Sequence, residues 1–224
     1  MTLSRVLELE AMDTLEEALA YDAIDHTEVN RQFVGDLLDR LPGSGPVLDL
    51  GTGTARIPIE LCREDPEAEV VAIDLARAML QVAADNVRQG GLDGRITLER
   101  ADAKRLPYVD GSFPVVISNS LVHHAAVPDL VLREAWRVLA EGGLMFMRDL
   151  ARPHDELALS HLLEIYAARA SEPQRRMFAD SLRAALTVEE LQARIERLGV
   201  PCETARPSSD RHWTWCTRKS RCSG

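Results

Sequence analysis

The run Val47-Leu48-Asp49-Leu50-Gly51-Thr52-Gly53-Thr54-Ala55, followed by Val70-Val71-Ala72-Ile73-Asp74, constrains this chain more than any other stretch. It reads as a buried strand, a glycine turn, a helix and a second strand ending in a carboxylate. Short apolar runs bounded by turn residues are typical of strands covered on both faces, as in parallel α/β sheets. Gly51 and Gly53 permit a sharp bend and let a ligand approach the backbone with no Cβ in the way. A helix opening near Thr54 aims unpaired N–H groups at the same turn. An acid closing the second strand, Asp74, can accept both hydrogen bonds of a ribose diol. The spacing points to a site for a nucleoside-containing cofactor; the competing reading is a glycine-rich turn that holds nothing.

A dinucleotide fingerprint would place a third glycine at position 56, where this chain carries the bulky Arg56. The D-x-G-x-G-x-A run from Asp49 to Ala55 instead resembles motif I of the class I S-adenosylmethionine-dependent methyltransferases, (D/E)-x-G-x-G-x-G, with Ala55 replacing the third glycine. Other segments resemble that family in the same order. Ile96-Thr97-Leu98-Glu99-Arg100-Ala101-Asp102-Ala103 is a strand-like run with an acid after it, and Ser112 to Asn119 reads as a fourth buried strand. Leu132 to Leu144 resembles the segment L-x-E-x-x-R-V-L-x-P-G-G, with Glu141 where proline usually stands, and Gly142 to Asp149 reads as strand five. The resemblance covers about residues 46–150. It implies a Rossmann-like, doubly wound α/β fold. Its sheet would have seven mostly parallel strands with an antiparallel C-terminal strand, helices on both faces and an N-terminal helical cap. It further implies S-adenosyl-L-methionine as cofactor, held by Asp49, Gly51, Thr52, Gly53, Asp74, Leu75, Asp102, Ala103 and Asn119. The acid after the third strand, Asp102, would lie near the adenine amino group.

At 224 residues and 46% hydrophobic content, the chain is expected to fold as one methyltransferase domain. Residues 1–41 would be a helical cap or lid, 42–150 the cofactor-binding core, and 151–224 a helical insertion followed by a C-terminal β-hairpin. A net charge of −10 argues against nucleic acid or an anionic membrane as the main partner. No apolar run reaches the ~20 residues needed to span a bilayer, and Met1 to Glu10 does not read as a signal peptide. The expectation is a cytoplasmic monomer or homodimer acting on a small molecule. Cys62 reads as a small core residue. Cys202, Cys216 and Cys222 have neither the paired spacing nor the histidines of a zinc set, so no metal is expected.

The flanks read as helices at Ser4–Leu9, Thr14–Ala23 and Thr27–Leu41. In the last, Val29, Phe33, Leu37, Leu38 and Leu41 form an apolar stripe expected to pack on the sheet edge. Asp13-Thr14 with Glu16 and Glu17 offers a helix cap. Tyr21, Asp22, Asp25, His26 and Asn30 exceed what packing needs; they form either a lid with Tyr21 and Asn30 toward the ligand, or a solvated face. Helices are expected near 154–170 and 172–186. A capping box at Thr187-Val188-Glu189-Glu190 opens another, ending at Gly199. Cys202–Ala205 and His212–Thr217 read as two strands, with Trp213 and Trp215 on one face of the second.

In the family resembled, residues just after the fourth strand face the methyl group, here Asn119-Ser120-Leu121-Val122-His123-His124. The segment lacks the (N/D/S)-P-P-(Y/F) tetrapeptide of base-amine methyltransferases. His123 or His124 is a candidate general base, because imidazole titrates near neutral pH; the pair could equally bridge backbone groups. Asp149, with Arg148 and Arg152 nearby, is a candidate for binding a polar substrate, although Arg152 could equally be a surface charge. Two rivals to small-molecule methyl transfer stay open: a noncatalytic nucleoside-binding regulatory protein, and a nicotinamide-dependent oxidoreductase, which Arg56 and the lack of a Y-x-x-x-K pair oppose.

Overall fold

Four consecutive buried residues make β1 (Val47–Leu50), flanked by two parallel neighbours, β2 (Val70–Asp74) and β4 (Phe113–Asn119). Strand β3 (Ile96–Arg100) extends the sheet beyond β2, again in parallel. β5 (Leu139–Leu150), β6 (Ala205–Pro207) and β7 (His212–Arg218) complete seven strands in the order β3-β2-β1-β4-β5-β7-β6. β7 runs antiparallel to β6. It opposes β5 as well: Gly142 and Gly143 exchange backbone bonds with Lys219, whereas Ala151 bonds Arg211. The expected Rossmann-like α/β fold is therefore the one formed. Its order switches direction between β1 and β4, where such sheets leave a crevice beyond the carboxyl ends of their strands.

The computed structural model describes residues 3–8, 13–41 and 45–220; Leu9 and Cys222 lie outside them. Helices α1 (Leu15–Asp22) and α2 (Thr27–Leu38) precede the sheet, and α3 (Arg56–Glu64), α4 (Arg77–Gln89) and α5 (Pro128–Val138) connect its strands. α6 (Glu156–Tyr166), α7 (Glu172–Ala184) and α8 (Val188–Glu196) follow β5. The capping box of Thr187 with Glu190 forms as read, and the cap at the start of α1 is a second such box, Thr14 with Glu17. Asp13 does something else: its carboxylate accepts from the Arg77 and Ala78 N–H groups and so caps α4. Among the described residues no helix is long and apolar enough to cross a membrane.

The chain divides into two compact units. In the unit made of Ala11–Asn119, Leu130–Met147 and Cys216–Gly224, Phe33 and Leu37 of α2 pack with Val47, Val115, Ile117 and Phe146. The Phe33 and Phe146 rings meet edge to face with centroids 5.0 Å apart. The stripe on α2 thus covers a sheet face over β1, β4 and β5, not the sheet edge, because those strands offer the larger apolar area to remove from water. In the unit made of Met1–Glu10, Ser120–Asp129 and Arg148–Trp215, Leu150, Leu159, Leu162, Leu182 and Ala185 form the apolar cluster that joins α6 to α7.

Three local expectations are corrected. Residues 3–8 form no helix; Leu3 donates to the His154 carbonyl and Val6 to that of Arg183, so the segment runs as a strap. So short a segment cannot offset the cost of helix nucleation against such long-range partners. Cys202–Thr204 is a single 3-10 turn closed by Thr204 N–H to the Pro201 carbonyl, and β6 begins only at Ala205. β5 starts at Leu139, three residues before the glycine pair.

Candidate functional site

The glycine turn sits at the carboxyl end of β1. Parallel register sets Leu50 beside Ile73, which brings Asp74 level with the start of the turn. Gly51 and Gly53 both take positive φ, 70° and 55°, which a Cβ disfavours. Ala55 takes φ 61° as well, so the position where the family usually has glycine carries a left-handed alanine here. The Asp74 carboxylate accepts from the Gly53 N–H at 2.8 Å and from the Ala76 N–H at 2.9 Å. Leu75 follows, half-buried, its carbonyl accepting from the Arg100 side chain. One strand over, Asp102 accepts from the Lys104 N–H at 2.9 Å and pairs with its ammonium at 3.3 Å, and Ala103 is buried. Thr52 is buried, and half-buried Asn119 ends β4. The predicted cofactor residues of β1, β2 and the glycine turn therefore cluster at the strand ends, with Asp102 just past β3.

Asp49 differs from the other acids. It lies within β1 at 2% exposure, and burial, helped by the nearby Asp74 charge, raises its pKa to about 7 despite the opposing Thr52 hydroxyl. Tyr21 is placed at the turn: a Cβ on Gly53 would lie 3.8 Å from its ring. Burial first, then Asp74 and Asp22, push the Tyr21 phenol pKa up. Asp22 clamps Arg56 through two bonds, at 2.8 and 2.5 Å, and accepts from Asn86, which also donates to the Thr54 carbonyl. Asn30 lies half-buried in the first turn of α2.

The fit to a sulfonium nucleoside follows from this donor set. Asp74 is bonded to the glycine turn, where Gly51 and Gly53 present no Cβ, while Asp22 is paired with Arg56 and Asp102 with Lys104. A ribose diol needs acceptors, which the Asp74 carboxylate provides, and its charge favours a cationic ligand over an anionic pyrophosphate.

A second polar cluster lies after β4. His123 is buried, its Nδ1 2.5 Å from an Asp149 carboxylate oxygen, and its backbone N–H donates to the other oxygen at 3.1 Å. Asp149, itself buried, accepts in addition from the Leu150 N–H. Burial alone would lower the His123 pKa, but the Asp149 charge and hydrogen bond, with Glu8, outweigh it and the pKa is raised. His124 Nδ1 is 2.9 Å from Glu8 Oε1, and His123 Nε2 is 3.5 Å from the same oxygen. Burial would raise the Glu8 pKa, yet the bond from His124 and the imidazole charges bring it below its ordinary value. Among the described residues, Glu8, His123 and His124 are one group whose ligating atoms all lie within 4.8 Å of one another.

Arg152 is not a surface charge. It is buried, paired with Glu190 at 2.5 Å and donating to the Ala185 carbonyl at 2.8 Å. Arg148 donates to the Thr214 hydroxyl. Sequence reasoning missed Glu8, together with Arg5, whose guanidinium bonds the carbonyls of Ala184, His123 and Ala125 and so holds the strap that carries it. It also missed Asn86. No periodicity or motif marks these residues.

The methyltransferase domain family matches residues 43–197. A demethylmenaquinone methyltransferase of Porphyromonas gingivalis is 37% identical over 108 residues, 48% of this chain and 44% of that relative. The 27-O-demethylrifamycin SV methyltransferase of Amycolatopsis mediterranei is 30% identical over 181 residues, 77% of this chain and 62% of that one. This chain spans about half the length of the curated relatives it matches. A solved Methanococcus maripaludis structure, assigned as an S-adenosyl-L-methionine-dependent methyltransferase, superposes with a TM-score of 0.71 at 17% identity. It covers 96% of this chain and 98% of that one, so the two share a fold.

Proposed function

The chain belongs to the methyltransferase domain family, and from that membership we propose that it transfers a methyl group from S-adenosyl-L-methionine to a small-molecule acceptor. The observation that carries the reading is the acid-lined glycine turn, in which the Asp74 carboxylate is fixed by the Gly53 N–H. When bound, S-adenosyl-L-methionine supplies an activated methyl group on a sulfonium. Asp74 would hold the ribose, Asp102 and Ala103 the adenine end, and Gly51 to Gly53 the backbone cradle, with Asp49, Thr52, Leu75 and Asn119 completing the surround and Tyr21 and Asn30 contributing from the helical cap.

Alignment alone supplies several kcal/mol to an in-line displacement. A base is needed only where the acceptor carries a proton of high pKa, and the cluster of His123, His124, Asp149 and Glu8 suits an acceptor of that kind. Asp149 sets the His123 ring, and Glu8 stands beside His124. Of the two relatives named above, one is named for a 27-O-demethylated substrate and the other for demethylmenaquinone, whose reduced, quinol form carries hydroxyls, so we assign a hydroxyl or an oxygen-activated carbon as the accepting atom. The net charge of −10 suits a small acceptor in the cytoplasm better than a nucleic acid. Arg152, buried and paired with Glu190 of α8, is not assigned to the acceptor.

Calorimetry with S-adenosylhomocysteine and NAD tests the cofactor, and transfer of labelled methyl to a panel of phenols, quinols and hydroxylated macrocycles tests the acceptor. Binding of S-adenosylhomocysteine without NAD, followed by labelling, is expected. NAD binding in its place would return the oxidoreductase reading, and cofactor binding with no turnover on any acceptor would favour the regulatory one.

A further inference from the structure

We propose that Glu8, His123 and His124 form a binding site for a divalent transition-metal cation of the zinc type. Two imidazoles and one carboxylate are a ligand set for such ions, with a further position left for exchange. The geometry already approximates that set. Two ligands about 2.05 Å from a tetrahedral ion lie roughly 3.3 Å apart, and the Glu8 oxygen stands 2.9 Å from His124 Nδ1 and 3.5 Å from His123 Nε2. The rings are neighbours, with centroids 4.0 Å apart.

The outer contacts also match. A metal-bound histidine usually gives its other ring nitrogen to a carboxylate, which fixes the tautomer and raises the donor strength. His123 does so toward Asp149, leaving Nε2 directed at Glu8. The Ser181 hydroxyl lies 3.4 and 3.2 Å from the two Glu8 oxygens, to which its single proton can donate, and so orients the third ligand. Glu8 and Asp149 together carry two negative charges, which a dication between neutral imidazoles would neutralise. The nearby cation, Arg5, directs its guanidinium to three backbone carbonyls. His124 and Glu8 are partly exposed, with side chains 24% and 15% accessible, so an ion has a way in.

An ion here would replace the imidazoles as the activating group, lowering the pKa of an acceptor oxygen bound to it; only that catalytic consequence rests on the methyltransferase reading, and the binding itself is measured apart from it. The experiment titrates the full chain, stripped with a chelator under reducing conditions, with Zn²⁺ by calorimetry and with Co²⁺ by visible absorption. S-adenosylhomocysteine is titrated in parallel. One ion per chain is expected, with a rise in melting temperature on saturation. E8A and H124A should each weaken the ion by about 100-fold or more, whereas C202S, at a half-buried thiol remote in sequence from the cluster, should leave it unchanged. Circular dichroism of the stripped variants confirms that they fold. Absence of stoichiometric binding to the wild type, or binding that survives in the E8A/H124A double variant, overturns the site. Metal binding without S-adenosylhomocysteine binding would instead remove the cofactor reading and leave the metal site standing.

Discussion

The Gly53 amide donates to the Asp74 carboxylate at 2.8 Å, tying the glycine turn to the end of the adjacent strand. Because Ala76 N–H holds the other carboxylate oxygen, the side chain is fixed before any ligand arrives. Preorganisation of this kind spares a ligand the entropy of ordering its partner. Asp74→Ala is expected to cost about 1.5–3 kcal/mol of binding to S-adenosylhomocysteine, roughly 10- to 150-fold in Kd. Asp74→Asn, which retains one acceptor oxygen, should lose less. Calorimetry on both variants checks this, and an unchanged Kd for Asp74→Ala places the residue outside the ligand site.

Asp49 gives a pH signature. Its pKa rises from an ordinary value of 3.8 to about 7 in the fold. Between those values the native state holds a proton that the unfolded chain has released, so stability falls as pH rises through that window and is level above it. The penalty at pH above 7 is at most about 4 kcal/mol. Asn, which stays neutral, escapes it. Urea unfolding of Asp49→Asn and wild type should therefore diverge as pH rises from 4.5 to about 7, the variant becoming relatively more stable. Parallel curves across that range would show Asp49 to be ionised in the fold.

Adjacent segments with a common period were legible in the sequence. β1, its glycine turn and β2 are specified by apolar runs and by Gly51 and Gly53, and the cap of α8 by Thr187 and Glu190, all local signals. The stripe on α2 showed which of its faces is buried but not that Phe33 would find Phe146, since periodicity says nothing about the partner. Glu8 meets His124 only because a strap with no helical or strand pattern is held by Arg5 through backbone carbonyls. Asp22 likewise reaches Arg56 from another helix. These contacts join residues far apart in sequence through their side chains, and no short window contains them.

Tyr21 separates a lid from mere packing. Its ring reaches Gly53, a Cβ on which would lie 3.8 Å away, and it also packs against the cluster of Ala18, Ala76, Ala78, Met79 and Val82 that anchors α1. With Ala18 still in that cluster, Tyr21→Ala should raise the Kd for S-adenosylhomocysteine about 10-fold, the scale of one lost aromatic contact, for a smaller loss of melting temperature. Tyr21→Phe should bind nearly as wild type. If Tyr21→Ala binds normally, the polar residues around it are a solvated face and no lid.

Arg152 is expected to act on stability and not on the acceptor. Removing it strands Glu190 and frees the Ala185 carbonyl, so Arg152→Ala should cost about 2–3 kcal/mol. Arg152 serves its two partners from two separate nitrogens, a fork that a lysine ammonium lacks, so Arg152→Lys should recover only part of that. Thermal unfolding measures both variants. A variant with wild-type melting temperature and a raised acceptor KM would move Arg152 into the substrate site.

Under the proposed function Asp149 would be a positioning residue, its carboxylate held against the His123 ring. Asp149→Asn keeps the volume and offers an amide where His123 Nδ1 now faces a carboxylate, which permits the opposite tautomer and removes the charge that supports an imidazolium. Turnover is expected to fall by about 10²–10³ with acceptor KM and S-adenosylhomocysteine affinity nearly unchanged. A nitrogen-15 spectrum of the imidazoles should show the His123 protons redistributed between its ring nitrogens, a change that simple loosening of the core would not produce. If turnover falls only in proportion to the folded fraction while the His123 signals stay in place, Asp149 serves packing alone, and the catalytic assignment of the cluster fails with it.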